Sequence, residues 1–172
     1  MKYLGLLTLL AWLLSPATLF AAEPPATITE AQLREMVRLS IQKFPVAEGV
    51  SATDAVDSMK LRADLLNFPL VADLPLSRQI QRLGETSGYM HILGFCDALI
   101  AKRMVEFDVI FSGFLPCRIA VVEDTTGKVW ITTLNMDMML HAAELSEELK
   151  PLAQQVRDVI YEIIDAGVNG DF

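Results

Sequence analysis

The sequence predicts a single α+β domain: an antiparallel-rich sheet of four or five strands, helices packed on one side of it, and a long helix at the C-terminal end. Three observations predict this. Leu149, Leu152, Val156, Ile160, Ile163 and Gly167 hold one helical stripe, and a glycine closes the helix they form. The segments "CRIAVVED" and "KVWITTLN" are rich in β-branched residues and flank "TTG", with Gly127 available for a left-handed turn position, so they form a β-hairpin. The remaining segments alternate between helical and strand-like spacing, an order that argues for an α+β domain.

Each element has its own justification. Thr29 and Gln32 have capping-box spacing, and Leu33, Val37, Ile41 and Phe44 follow at helical intervals, so an amphipathic helix is expected to end just before Pro45. "VAEGV", residues 46–50, reads as a short strand. Ser51 with Asp54 marks a second helix start, because a hydroxyl there takes up a free backbone amide; Val56, Met59, Ala63 and Leu66 form its inward stripe. "FPLVAD" is a strand whose early proline restricts it to a sheet edge, and residues 76–83 add a short helix. After a turn at Ser87 and Gly88, "YMHILGFC" is apolar on both of its faces, the mark of a strand covered on both sides and placed centrally. Asp97 opens the compact helix "ALIAKRMV".

Outside the fold lies the N-terminus. One lysine, an apolar run from Tyr3 to Leu14, Pro16 and small residues up to Ala21 and Ala22 have the layout of a secretory signal peptide, so residues 1–21 are an expected leader. The run is shorter than the roughly 20 residues that cross a bilayer, so no stable membrane insertion is expected after cleavage. Residues 22–46 then form an extension carrying the amphipathic helix, and residues 47–172 form the domain. Cleavage removes Lys2 from the 14 basic residues and none of the 22 acidic ones, taking the formal charge from −8 to −9. A chain this acidic, without a basic run, repels phosphate backbones, so nucleic acid is not an expected partner.

The stretches "LGFCDALIA" (93–101) and "LPCRIAVVED" (115–124) resemble the paired signature of the family called domain of unknown function 302 (DUF302). Members of that family tend to carry Leu-Gly-Ala-Cys-Asn-Pro and then Leu-Pro-Cys-Asn-Val-Val-Val. The resemblance covers roughly residues 44 to 165, and both cysteines, Gly94 and Pro116 match it. Phe95, Asp97-Ala98 and Arg118 depart from it, removing side-chain amides that a ligand could use. The resemblance implies a small α+β fold with one helical layer on an antiparallel-rich sheet, and a homodimer. It carries over no catalytic residue.

Chemistry is sought first at Cys96 and Cys117, the only two cysteines. Three fates are open to them. A disulfide closing a loop of about 20 residues contributes on the order of 3 kcal/mol in an oxidising compartment. Alternatively they are buried free thiols, or a reactive or ligating pair; Cys96, at a helix start, gains thiolate character from the helix dipole and loses it to Asp97. In "NMDMMLHAAE", Met136, Met139, Leu140 and Ala143 form a buried helical stripe, while Asp137, His141 and Glu144, with Met138, form an opposite stripe that either faces water or holds a transition metal. His91, alone in an apolar strand, is a satisfied core histidine or a catalytic one, and strand alternation sends it and Cys96 to opposite faces. No glycine-rich phosphate loop, zinc-type cysteine spacing or nucleophile-elbow serine is present, so no enzyme class is indicated.

Together these observations predict a periplasmic or secreted binding or accessory protein, with a pocket near the cysteine-bearing strand ends for a small ligand, a metal or haem. Two other classes stay open. One is a thiol redox or sulfur-handling protein cycling Cys96 and Cys117, and the other is a ligand-free interaction or dimerisation module.

Overall fold

The structure is a computed structural model, and it describes residues 28–171. The expected leader lies outside the described residues. Five strands, β1 (Ile41–Pro45), β2 (Leu70–Leu74), β3 (Met90–Phe95), β4 (Cys117–Glu123) and β5 (Val129–Leu134), form one antiparallel sheet in the order β1-β5-β4-β3-β2. Six helices accompany it: α1 (Glu30–Leu39), α2 (Ala52–Leu65), α3 (Leu76–Arg82), α4 (Ala98–Phe107), α5 (Met136–Ala142) and α6 (Leu149–Asn169).

Local chemistry sets the helix starts. Thr29 Oγ1 accepts from the Gln32 amide and Gln32 Oε1 accepts from the Thr29 amide, closing the reciprocal cap of α1. Ser51 and Asp54 make the same exchange at α2, and the Asp97 carboxylate takes the Leu99 and Ile100 amides at α4. The left-handed Gly170 closes α6. In the β4–β5 hairpin the Asp124 carboxylate accepts from the Thr126 and Lys128 amides, with Gly127 at φ +82°.

The core follows from strand alternation. His91, Leu93 and Phe95 of β3, Ile119 and Val121 of β4 and Ile131 of β5 turn to one face, where α2 and α6 cover them with Val56, Met59, Ile160 and Ile163. Gly167 lets α6 close on α2: a Cβ there would stand 2.6 Å from Met59 Cγ. On the reverse face Lys43 and Arg118 are exposed, while Ala120, Val122, Trp130 and Thr132 are half-buried. A smaller apolar cluster, Leu145, Leu149 and Ala153 with Met104, Phe111 and Leu140, forms where α4 and α5 meet the start of α6.

Three expectations need correction. The first helix ends at Leu39, and Ile41–Pro45 is instead the edge strand β1, paired with β5 from Ile41↔Leu134 to Pro45↔Trp130. Apolar residues three apart fit either element over so short a run, and the hydrogen bonds of β5 decide it. "VAEGV" is a turn with Gly49 at φ +88°, not a strand. β3 lies second from the edge rather than at the centre, and its Met90 and Ile92 are half-buried on the reverse face.

Candidate functional site

The cysteine-bearing strand ends surround an apolar cavity of about 120 Å³. It lies between the two cores. Phe68 and Leu134 line it on the sheet side, α4 contributes Ile100 and Met104, the 3₁₀ turn Val109–Phe114 contributes Phe111, and α5 contributes Met136, Met139 and Leu140. Cys96 and Cys117 both line it. Their meeting has a structural cause. Cys117 begins β4 in register with Phe95, the last residue of β3; β3 then stops, the Cys96 amide donates to Pro69 O, and the chain turns into α4. Alternation alone would have put Cys96 on the reverse sheet face.

Both cysteines are free thiols. Burial pushes Cys117 up from 9.0 to about 11, with the neighbouring Cys96 adding to the rise. Burial also raises Cys96, and the Asp97 charge raises it further. Burial first and the Asp97 charge second thus keep Cys96 above its ordinary range despite its place at a helix start, and both sulfurs carry protons at neutral pH. Among the described residues Asp97 is the one carboxylate on the cavity wall, and its Oδ1 is occupied by the two amides that cap α4.

His91 is remote from these thiols, five residues before Cys96 and near the opposite end of β3. It is 9% exposed and both ring nitrogens are engaged. The Asp73 carboxylate accepts from Nε2–H, which leaves Nδ1 to accept from the Tyr89 hydroxyl at 3.1 Å. Lys60 Nζ donates to the other Asp73 oxygen at 2.7 Å. That ammonium, with His91, holds Asp73 below the usual carboxylate range. This four-residue chain was not legible in the sequence; its only signal was an acid at the end of an edge strand.

The stripe on α5 is drawn apart. Asp137 faces Arg157 Nε at 3.5 Å and the Tyr161 hydroxyl at 3.3 Å, while His141 Nδ1 lies 3.0 Å from the Asp137 carbonyl. Met138 donates its amide to the Asn135 cap. Glu144 falls beyond the helix end, so the seven-residue interval no longer places it above Asp137. Among the described residues no three His, Cys, Asp or Glu side chains come together to hold a metal. The opposite stripe, Met136, Met139, Leu140 and Ala143, lines the cavity. The turn that supplies Phe111 had no strong sequence signal apart from Asp108, whose carboxylate accepts from the Ile110 amide.

No curated protein matches the chain. Among solved structures, that of an uncharacterized conserved DUF302 protein from Bacillus stearothermophilus superimposes with a TM-score of 0.60 at 18% identity, covering 74% of this chain and 97% of that one. At that identity the likeness speaks for the fold. The sequence profile described as "Domain of unknown function DUF302" matches residues 42–167, from within β1 to near the end of α6, and takes in the cavity wall and both cysteines. The chain therefore belongs to the DUF302 family.

Proposed function

We propose that this is an exported binding protein, not a catalyst, whose cavity at the Cys96–Cys117 end of the sheet holds a small ligand. One observation carries the reading: an apolar cavity walled by four helical segments and three strand ends, where dense packing is the norm. Its volume, about 120 Å³, sets the scale of the occupant. An apolar cavity of roughly 150 Å³ admits benzene, whereas drug-sized ligands need about 300 Å³ or more. A porphyrin belongs to the second class and is larger than this space, which weighs against haem. The raised thiols weigh against a redox pair, because exchange needs a thiolate.

The test is benzene titrated into protein carrying ¹³C-methyl methionine. Shifts are expected at Met104, Met136 and Met139, with Met59 in the main core and Met36 on α1 unmoved. No shift at saturating benzene, or equal shifts everywhere, removes the reading.

A homodimer is supported by α1, whose stripe of Leu33, Met36 and Val37 is 50%, 48% and 67% exposed. Light scattering should give twice the monomer mass for the wild type and the monomer mass for Leu33→Glu/Val37→Glu. A wild-type monomer at high micromolar concentration removes this part.

A further inference from the structure

The cavity wall gathers five sulfur-bearing side chains. Both cysteines of the chain and three of its eight methionines, Met104, Met136 and Met139, line this one space from β4, the end of β3, α4 and α5. The two histidines lie elsewhere: His91 is locked to Tyr89 and Asp73, and His141 is exposed on α5. Among the described residues the lining includes no histidine or basic residue, and Oδ1 of its one carboxylate is taken by the two amides of a helix cap. Hard ions, which need several oxygen donors, find a single carboxylate here, and Zn²⁺, which takes thiolates, gains nothing from the methionines. Thiolate and thioether donors select soft ions, above all Cu(I).

Charge decides how such an ion would sit. Cu(I) on one thiolate and thioethers is neutral, while a second thiolate leaves a net negative charge in an apolar wall. The neutral complex is therefore favoured. Its formation breaks one S–H bond, replaces that proton with a Cu–thiolate bond beside dative Cu–S bonds from the other, still protonated cysteine and the two thioethers, and sends one proton to solvent, with no change of oxidation state. Resting on the reading of this cavity as the binding site, we propose that its natural occupant is a cuprous ion held by Cys96, Cys117 and the thioethers of Met136 and Met139.

The experiment is an anaerobic titration of the reduced protein with Cu(I), in competition with the chromophoric chelator bathocuproine disulfonate. One equivalent should leave the chelator, with affinity rising about tenfold per pH unit between pH 6 and 8 as one proton is displaced. Cys96→Ser and Cys117→Ser should each weaken binding on the order of 100-fold, and Met136→Leu/Met139→Leu about tenfold. The leucine pair conserves volume, so it tests the thioethers even if a serine variant fails to fold. X-ray absorption should find only sulfur neighbours. A chelator that keeps all its copper, serine variants that fold and bind like the wild type, or a leucine pair of unchanged affinity each overturns the proposal. Benzene separates the two readings: if it still shifts the cavity methionines while copper stays with the chelator, the cavity stands and the cuprous ion falls.

Discussion

Gly94 shows how closely the sheet is built around the cysteine end, and Gly94→Ala measures it. A Cβ at this position would lie 2.8 Å from Pro116 Cγ and 3.0 Å from Ala72 Cβ. Non-bonded carbons rest at about 3.5–4.0 Å, so the new methyl overlaps both neighbours by roughly half an ångström or more. Neither can swing aside: one atom belongs to a proline ring, the other is the first atom of a side chain on the paired strand β2. Overpacking of this kind costs about 1–3 kcal/mol, and the better backbone entropy of alanine returns about 0.5–1 kcal/mol. The net loss of about 1–2 kcal/mol lowers the melting temperature by roughly 2–8 °C for a domain of this size. Thermal unfolding followed by circular dichroism reads it directly. Gly113→Ala is the control, since a methyl there meets nothing within 4 Å and should leave the melting temperature within about 2 °C. An equal or higher melting temperature for Gly94→Ala would refute the claim that Pro116 and Ala72 are fixed against this strand.

Other outcomes follow from the same geometry. His91→Ala leaves the Tyr89 hydroxyl and one Asp73 oxygen without their partner, and should cost about 1–3 kcal/mol in urea unfolding without altering benzene or copper titration. Asp73 is held below 3.8 by Lys60 first and His91 second, so its contribution is present above the unfolded value and is lost as pH falls through 3.8 and below. Lys60→Met should therefore flatten the acid limb of a stability profile measured between pH 5 and 3. Cys117 has the opposite sign: its folded value exceeds 9.0, so the stability it carries is complete below pH 9 and falls as pH rises towards about 11. By pH 11 the loss is about 2 kcal/mol, which Cys117→Ala should remove from the alkaline limb. The same proton retention should slow iodoacetamide labelling of Cys117 at pH 8 on the order of 100-fold relative to the urea-unfolded chain.

The parts of the fold fixed by local chemistry were legible in the sequence. The caps at Thr29, Ser51 and Asp97, the hairpin around Gly127 and the stripe of α6 each involve residues a few positions apart, so spacing alone identifies them. Ile41 and Phe44 misled because five residues hold too little periodicity to separate helix from strand, and the deciding bonds come from β5, some ninety positions on. The site divides in the same way. That Met136 and Met139 turn inward is a matter of helical spacing, and that Cys96 and Cys117 share one end of the sheet follows from strand order. That a space remains between them depends on Phe111 and Leu145, whose positions are set by packing between distant segments. The Tyr89–His91–Asp73–Lys60 chain was hidden for the same reason, since it joins α2, β2 and β3 only after they have docked.

Trp130 stands on the uncovered side of β5, with the ammonium groups of Lys43 and Lys128 each 4.3 Å from its ring centroid and its Nε1 donating to Asp124. The other tryptophan of the chain is Trp12, within the expected leader. A cleaved chain thus has a single-tryptophan emission spectrum, and its indole reads the electric field of two cations and an acid rather than the filling of the interior. Quenching or a colour shift in that signal would report β1 peeling away from β5, giving an optical gauge of edge fraying that needs no label.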